Sequence, residues 1–130
     1  MRIAAASGTP VSDPTPEDQQ TLDQLKELEA ERPGLMKELI RLFVADAPRQ
    51  TRLIRAAYDR RDPELVRQSA HFLRSGSLAL GLSSLAEHSR VIEHLALEAY
   101  GDKATDLLVA ELRAEVHKVL LVLLKQLKDG

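Results

Sequence analysis

Between residues 103 and 127, leucine and valine recur at three- and four-residue steps, through Leu107, Leu108, Leu112, Val116, Val119, Leu120, Leu123 and Leu127. That spacing gathers apolar side chains on one side of an α-helix. From Val116 to Leu127 the apolar residues are dense enough that much of the helix circumference requires cover. A helix of this kind is stable in water only when packed, so the remaining chain must supply its partners.

The punctuation of the chain supplies them as helices. Residues 1–17 carry Pro10, Pro14 and Pro16 among glycine, serine and threonine without a periodic apolar face, and read as a tail or linker; residues 18–130 read as one domain. A short helix is expected over 17–31 on Leu22, Leu25 and Leu28, ending before Pro33-Gly34. A long helix is expected over 33–60, with Pro33 at its first position and a kink rather than a break at Pro48. Asp62-Pro63 restarts the chain with a capping carboxylate and a proline in the first helical position, opening a helix over 63–80 that Gly81 ends. Ser84-Leu85-Ala86-Glu87 has the form of a capping box for a fourth helix reaching 96–97, and Gly101-Asp102 breaks the chain before the fifth.

Leucine and alanine dominate, while aromatics are limited to Phe43, Phe72, Tyr58 and Tyr100, a mixture that suits helices better than sheets. The expected fold is all-α, an antiparallel up-down four-helix bundle with the short N-terminal helix packed over one end. At 130 residues the chain is one domain by length. A net charge of −2 with interspersed signs argues against nucleic acid and anionic membranes as partners. The absence of cysteine, of a signal-peptide pattern and of a long apolar run leads us to expect a cytoplasmic protein.

The helix over 63–80 has an unusual outer face. Leu73 and Leu80 fall opposite His71 on the helical wheel, with Leu65, Val66, Ser69 and Gly76 flanking them. Arg67, Gln68, Arg74, Ser75, Leu78 and Leu82 share the outer face with His71. An exposed imidazole, with an ordinary pKa of about 6.5, is mostly neutral at neutral pH and keeps one nucleophilic lone pair. Arg74 can lie beside negative charge developing there, and Arg67 and Gln68 add donors. Leu78 is apolar where a solvent-facing helix prefers a charge, as on a surface that another protein covers. A lone surface histidine is nonetheless usually inert and a lone surface leucine ordinary, so neither feature alone assigns a function.

Other chemistries lack their motifs. His71, His88, His94 and His117 form no pair at helical ligand spacing, and none has a carboxylate three or four residues before it, so no metal site is expected. His88, His94 and His117 read as partly exposed side chains. There is no Gly-x-Ser-x-Gly elbow, no cysteine nucleophile and no carboxylate near His71 on its own helix to orient it. No phosphate-binding glycine loop is present, so ATP-dependent kinase activity is not expected.

Taken together, Ala70-His71-x-Leu73-Arg74-x-x-Ser77-x-x-Leu80-Gly81 resembles the signature of the histidine phosphotransfer (HPt) family, Ala-His-x-Leu-Lys-Gly-Ser-Ser-x-x-Leu-Gly. Leu85 through Glu93 is similar to the family's Leu-x-x-x-Cys-x-x-Leu-Glu, with Ser89 for Cys and Ile92 for Leu. The stretch from Leu39 to Pro48 is similar to the family's long second helix, proline included, and the resemblance extends over about 20–127. Two residues depart from it. Arg74 replaces the usual lysine, exchanging a point charge for a planar fork, and Ser75 replaces the usual glycine, which appears one place later as Gly76. Gly76 faces the core on the wheel and is expected to serve close helix packing.

The resemblance implies a phosphorelay intermediate in which His71 accepts a phosphoryl group from a receiver-domain aspartate and passes it to another receiver. It implies a carrier without a complete catalytic site or intrinsic cofactor, with Mg²⁺ on the partner receiver. Arg74 is expected to offset phosphoryl charge, Gln68 and Ser75 to hydrogen-bond, and Arg67, Leu78 and Leu82 to form a docking patch. Response-regulator receiver domains and a sensor or hybrid histidine kinase are the expected partners of a monomer. The alternatives are a helical adaptor that binds the same partners without being phosphorylated, and a metal-binding bundle.

Overall fold

Five helices follow one another in the computed structural model, which describes residues 16–129: α1 (Pro16–Glu31), α2 (Leu35–Asp59), α3 (Pro63–Ala79), α4 (Ser83–Glu93) and α5 (Lys103–Asp129). A 3₁₀ turn at Leu97–Ala99 lies between α4 and α5, and among the described residues there is no strand. Of the expected tail, residues 1–15 lie outside the described residues, whereas Pro16 and Glu17 belong to the first turn of α1.

The turns explain where each helix begins. Pro33 does not open α2 as expected. Gly34, at φ 96 and ψ −6, has the geometry of the third residue of a type II turn, and Leu35 N donates to Arg32 O at 3.2 Å. A left-handed residue cannot belong to a right-handed helix, so α2 starts only at Leu35. Gly34 offers no side-chain cap; instead Glu29 reaches over from α1 and accepts from Met36 N at 2.9 Å. The helix then runs unbroken through Pro48.

Asp62 caps α3 as expected, its Oδ1 accepting from Leu65 N at 3.2 Å with Pro63 following. At the other end Gly81 takes φ 71, Gly81 N donates to Leu78 O and Leu82 N to Ser77 O, the paired bonds of a Schellman motif. In that motif the residue after the glycine turns back onto the helix. Leu82 is accordingly 0% exposed. This corrects its placement in a docking patch, because the helical wheel no longer applies beyond Gly81.

The capping box expected at Ser84 is also corrected. Helix α4 begins two residues earlier, with Leu82 rather than Ser84 in the capping position, Ser84 Oγ donates to Glu115 Oε1 of α5 at 2.8 Å, and Glu87 pairs with Arg90. The helix stops at Glu93 rather than 96–97, and at the end of the connection to α5 the ring of Tyr100 lies 4.7 Å from that of Tyr58, tilted by 34°, while Gly101 N donates to Tyr58 Oη at 2.9 Å.

Cross-helix contacts fix the directions. Phe43 of α2 meets Gly76 of α3, His71 of α3 meets Glu93 of α4, and Ser84 and His88 of α4 meet Glu115 of α5. Each pair is nearly equidistant from the turn that joins its helices, or in the last case crosses a longer connection, so the four helices alternate in direction. Packing closes a ring, α2 against α3 and α5, α4 against the same two, and α1 lies against α2 and α3. The core is filled by Ile54, Leu73, Leu85, Ile92, Leu112 and Leu123, each almost wholly buried, and burial of one such side chain stabilises by roughly 1.5–3 kcal/mol. A Cβ on Gly76 would stand 2.8 Å from Phe43 Cδ1, so the glycine sets how closely α2 and α3 approach.

Candidate functional site

Helix α3 buries Val66, Ala70, Leu73 and Ser77, a stripe that leaves the opposite side to solvent. His71 stands there with its side chain 52% exposed. Its ring is held from the neighbouring helix. Nδ1 lies 3.1 Å from Glu93 Oε2, and Glu93, the last residue of α4, is only 8% exposed. An ionised carboxylate only accepts, so Nδ1 carries the hydrogen and donates, and Nε2 is left with the lone pair.

Glu93 serves two residues at once. Its other oxygen, Oε1, is 3.3 Å from Arg74 Nε, an ion pair whose angle is not that of an aligned hydrogen bond. The guanidinium sits one helical turn from the imidazole on the α4 side of α3, as the wheel requires, with its side chain 16% exposed. The same carboxylate therefore orients the imidazole and anchors the cation. Buried carboxylates are costly without such partners, and here both are supplied across one helix pair.

The remaining expected residues divide. Arg67 donates to Glu64 through Nη2 at 2.5 Å and Nε at 3.2 Å, and Gln68 Nε2 donates to Glu64 Oε1 at 3.1 Å. The hydrogen bonds from Arg67 and Gln68 hold the Glu64 carboxyl below the usual carboxylate range. Both expected donors are thus engaged one turn back along α3 by a residue not singled out in the sequence. Ser75 is exposed and Leu78 half-buried, while Leu82 lies in the core. Phe72, next to His71, is a large exposed aromatic that local periodicity does not single out.

The sequence of α3 alone does not reveal Glu93. That residue ends the segment similar to the family's second motif, but its contact with His71 depends on the register of two helices. One signal was available: His71 lies eleven residues before Leu82 and Glu93 eleven after, which brings them level in an antiparallel hairpin.

His88, expected to be partly exposed, is largely buried between α4 and α5. Its Nε2 lies 2.8 Å from Leu108 O and its Nδ1 bonds to Glu115, so both ring nitrogens face acceptors and both carry hydrogen. Burial works against this charge most strongly, but the bonds to Glu115 and Leu108 with the charges of Glu115 and Glu111 outweigh it and raise the His88 pKa above 6.5. Among the described residues no group of three or more histidine, cysteine or carboxylate side chains is placed to hold a metal. No described helix is long and apolar enough to cross a membrane.

No curated protein and no solved structure matches the chain. The family model described as Hpt domain matches residues 38–122, which takes in α3, α4 and most of α2 and α5. With its histidine on the outer face of a four-helix ring, the chain belongs to the Hpt domain family, the helical bundles of two-component phosphorelays.

Proposed function

We propose that His71 is the phosphoacceptor and that the protein relays a phosphoryl group between receiver domains. The observation that carries this reading is the His71–Glu93 contact, which favours the ring hydrogen on Nδ1 and so leaves the lone pair to Nε2 on a side chain that is 52% exposed. In the proposed step the Nε2 lone pair attacks the phosphorus of a receiver's aspartyl phosphate. The N–P bond forms, the P–O bond to the aspartate breaks, and the aspartate departs as a carboxylate. The phosphorylated ring keeps its hydrogen on Nδ1, and the positive charge it acquires lies against Glu93. Reversal of the same step on a second receiver returns the free imidazole.

The chain's own groups bind and orient; Mg²⁺ and the remaining catalytic groups belong to the receiver. Arg74, already beside Glu93, adds positive charge at the edge of the site. Ser75 is a hydrogen-bonding candidate on the same face, and Gln68 becomes one when it exchanges Glu64 for the phosphoryl oxygens. Leu78, Phe72 and the alkyl part of Arg67 give the partner an amphipathic surface to cover.

Incubation with a phosphorylated receiver and Mg²⁺, followed by quantification of acid-labile phosphoryl on the chain, tests the reading. Wild type acquires label and His71→Gln acquires none. Equal labelling of the two proteins, or a stable complex without transfer, rejects phosphotransfer through His71 and favours a non-phosphorylated adaptor.

A further inference from the structure

The outer side of α5 is apolar without being covered by the bundle. Leu107, Leu121 and Leu124 are 57%, 58% and 48% exposed, although the density of leucine and valine in this helix demands cover. With Ala110, Ala114 and His117, all exposed, they form a stripe at alternating steps of three and four residues, the seam of a coiled coil. We infer that this stripe binds the same stripe of a second copy, antiparallel, to make a two-fold symmetric dimer.

Two features select this occupant and this direction. In an antiparallel pair centred between Glu115 and Val116, Leu107 faces Leu124 of the other copy, Ala110 faces Leu121 and Ala114 faces His117, so small residues meet large ones. In the same register Glu111 of each copy faces Lys118 of the other, giving two opposite-charge pairs beside the seam. A parallel pair would instead set Asp106 against Glu111 and Arg113 against Lys118, like charges in every case. The pattern of charges thus favours self-association in one direction and opposes it in the other. Helices α3 and α5 stand diagonally in the ring, so the dimer leaves both copies of His71 open to partners.

The apolar layers span about 26 Å of helix, a small interface, so the dimer is expected to form between about 10 μM and about 1 mM. Sedimentation equilibrium over that range should give a mass rising from monomer to dimer. Leu121→Glu, on an exposed position, should remain monomeric throughout with unchanged helical circular dichroism. Glu111→Lys and Lys118→Glu should each weaken the dimer by about fivefold or more, and the double exchange should restore it to within about twofold of wild type. A monomer at every concentration, or a dimer indifferent to Leu121→Glu, overturns the inference. Strengthening by Glu111→Lys alone, as parallel pairing predicts, overturns the antiparallel arrangement. Phosphoryl transfer to His71 is a separate readout: its failure leaves the sedimentation result standing, and its persistence in Leu121→Glu accompanies loss of the dimer.

Discussion

Glu93 links His71, the proposed phosphoacceptor, to Arg74, the cation proposed to offset phosphoryl charge. Replacing it with glutamine keeps the shape and removes the charge, and the amide can turn its NH₂ toward Nδ1 and move the ring hydrogen to Nε2. Glu93→Gln is therefore expected to slow phosphoryl acquisition by about a hundredfold or more, the lower end of the range over which a positioned acid–base group or its orienting carboxylate acts. Receiver affinity should change little, since the Glu93 side chain is only 8% exposed. Nitrogen chemical shifts of the His71 ring check the cause; an unchanged tautomer together with an unchanged rate would remove Glu93 from the mechanism. The exposed position of His71 is legible in the sequence because a helical wheel needs only local periodicity, and the carboxylate that meets it is not, because Glu93 sits on another helix. Leu82 shows the opposite error: one step past a left-handed glycine, the wheel placed a core residue on the surface.

The helices themselves were legible from their breaks. Asp62-Pro63 and Gly81 mark ends that depend on local chemistry, a side-chain acceptor in one case and a positive φ in the other. Asp62→Ala should cost about 1 kcal/mol in urea unfolding by removing the acceptor for Leu65 N. The start of α4 differs from the capping-box expectation because serine followed three places later by glutamate has a second use, and here Ser84 serves α5. Gly76 was expected to face the core, and the close approach of Phe43 gives that position its physical reason. Alanine there gains up to about 1 kcal/mol of helix propensity but overpacks against a buried ring, a cost of typically 1–3 kcal/mol. Gly76→Ala should thus be net destabilising, by about 1 kcal/mol; equal or greater stability in a denaturant titration would mean that Phe43 yields freely.

Across the whole molecule, the ring of helices depends on α4 meeting α5, the least extensive of its four contacts. A polar cluster holds that seam, with Glu115 accepting from Ser84 and His88 while His88 also donates to Leu108 O. Burial pushes the Glu115 carboxyl upward, but the bonds from His88 and Ser84 together with the nearby charges of His88 and Lys118 bring it below 4.5. The His88 pKa is raised in the folded chain, so the folded state binds its proton more tightly than the unfolded state does. Its contribution to stability is complete below about 6.5, the unfolded value, and is lost as pH rises through the folded value. Glu115 acts in the other direction: its contribution is present above about 4.5 and is lost as pH falls through its folded value. The cluster therefore stabilises the bundle most in mildly acidic solution. Between about pH 6 and 9 the hydroxyls of Tyr58 and Tyr100, which burial holds above 10, stay protonated and do not obscure the effect. Urea unfolding over that interval should show wild type losing stability relative to His88→Gln as pH rises, with the difference between the two proteins shrinking toward pH 9. A difference that stayed constant would show that His88 contributes by packing alone, and one that grew would show that its charge opposes closure of the ring.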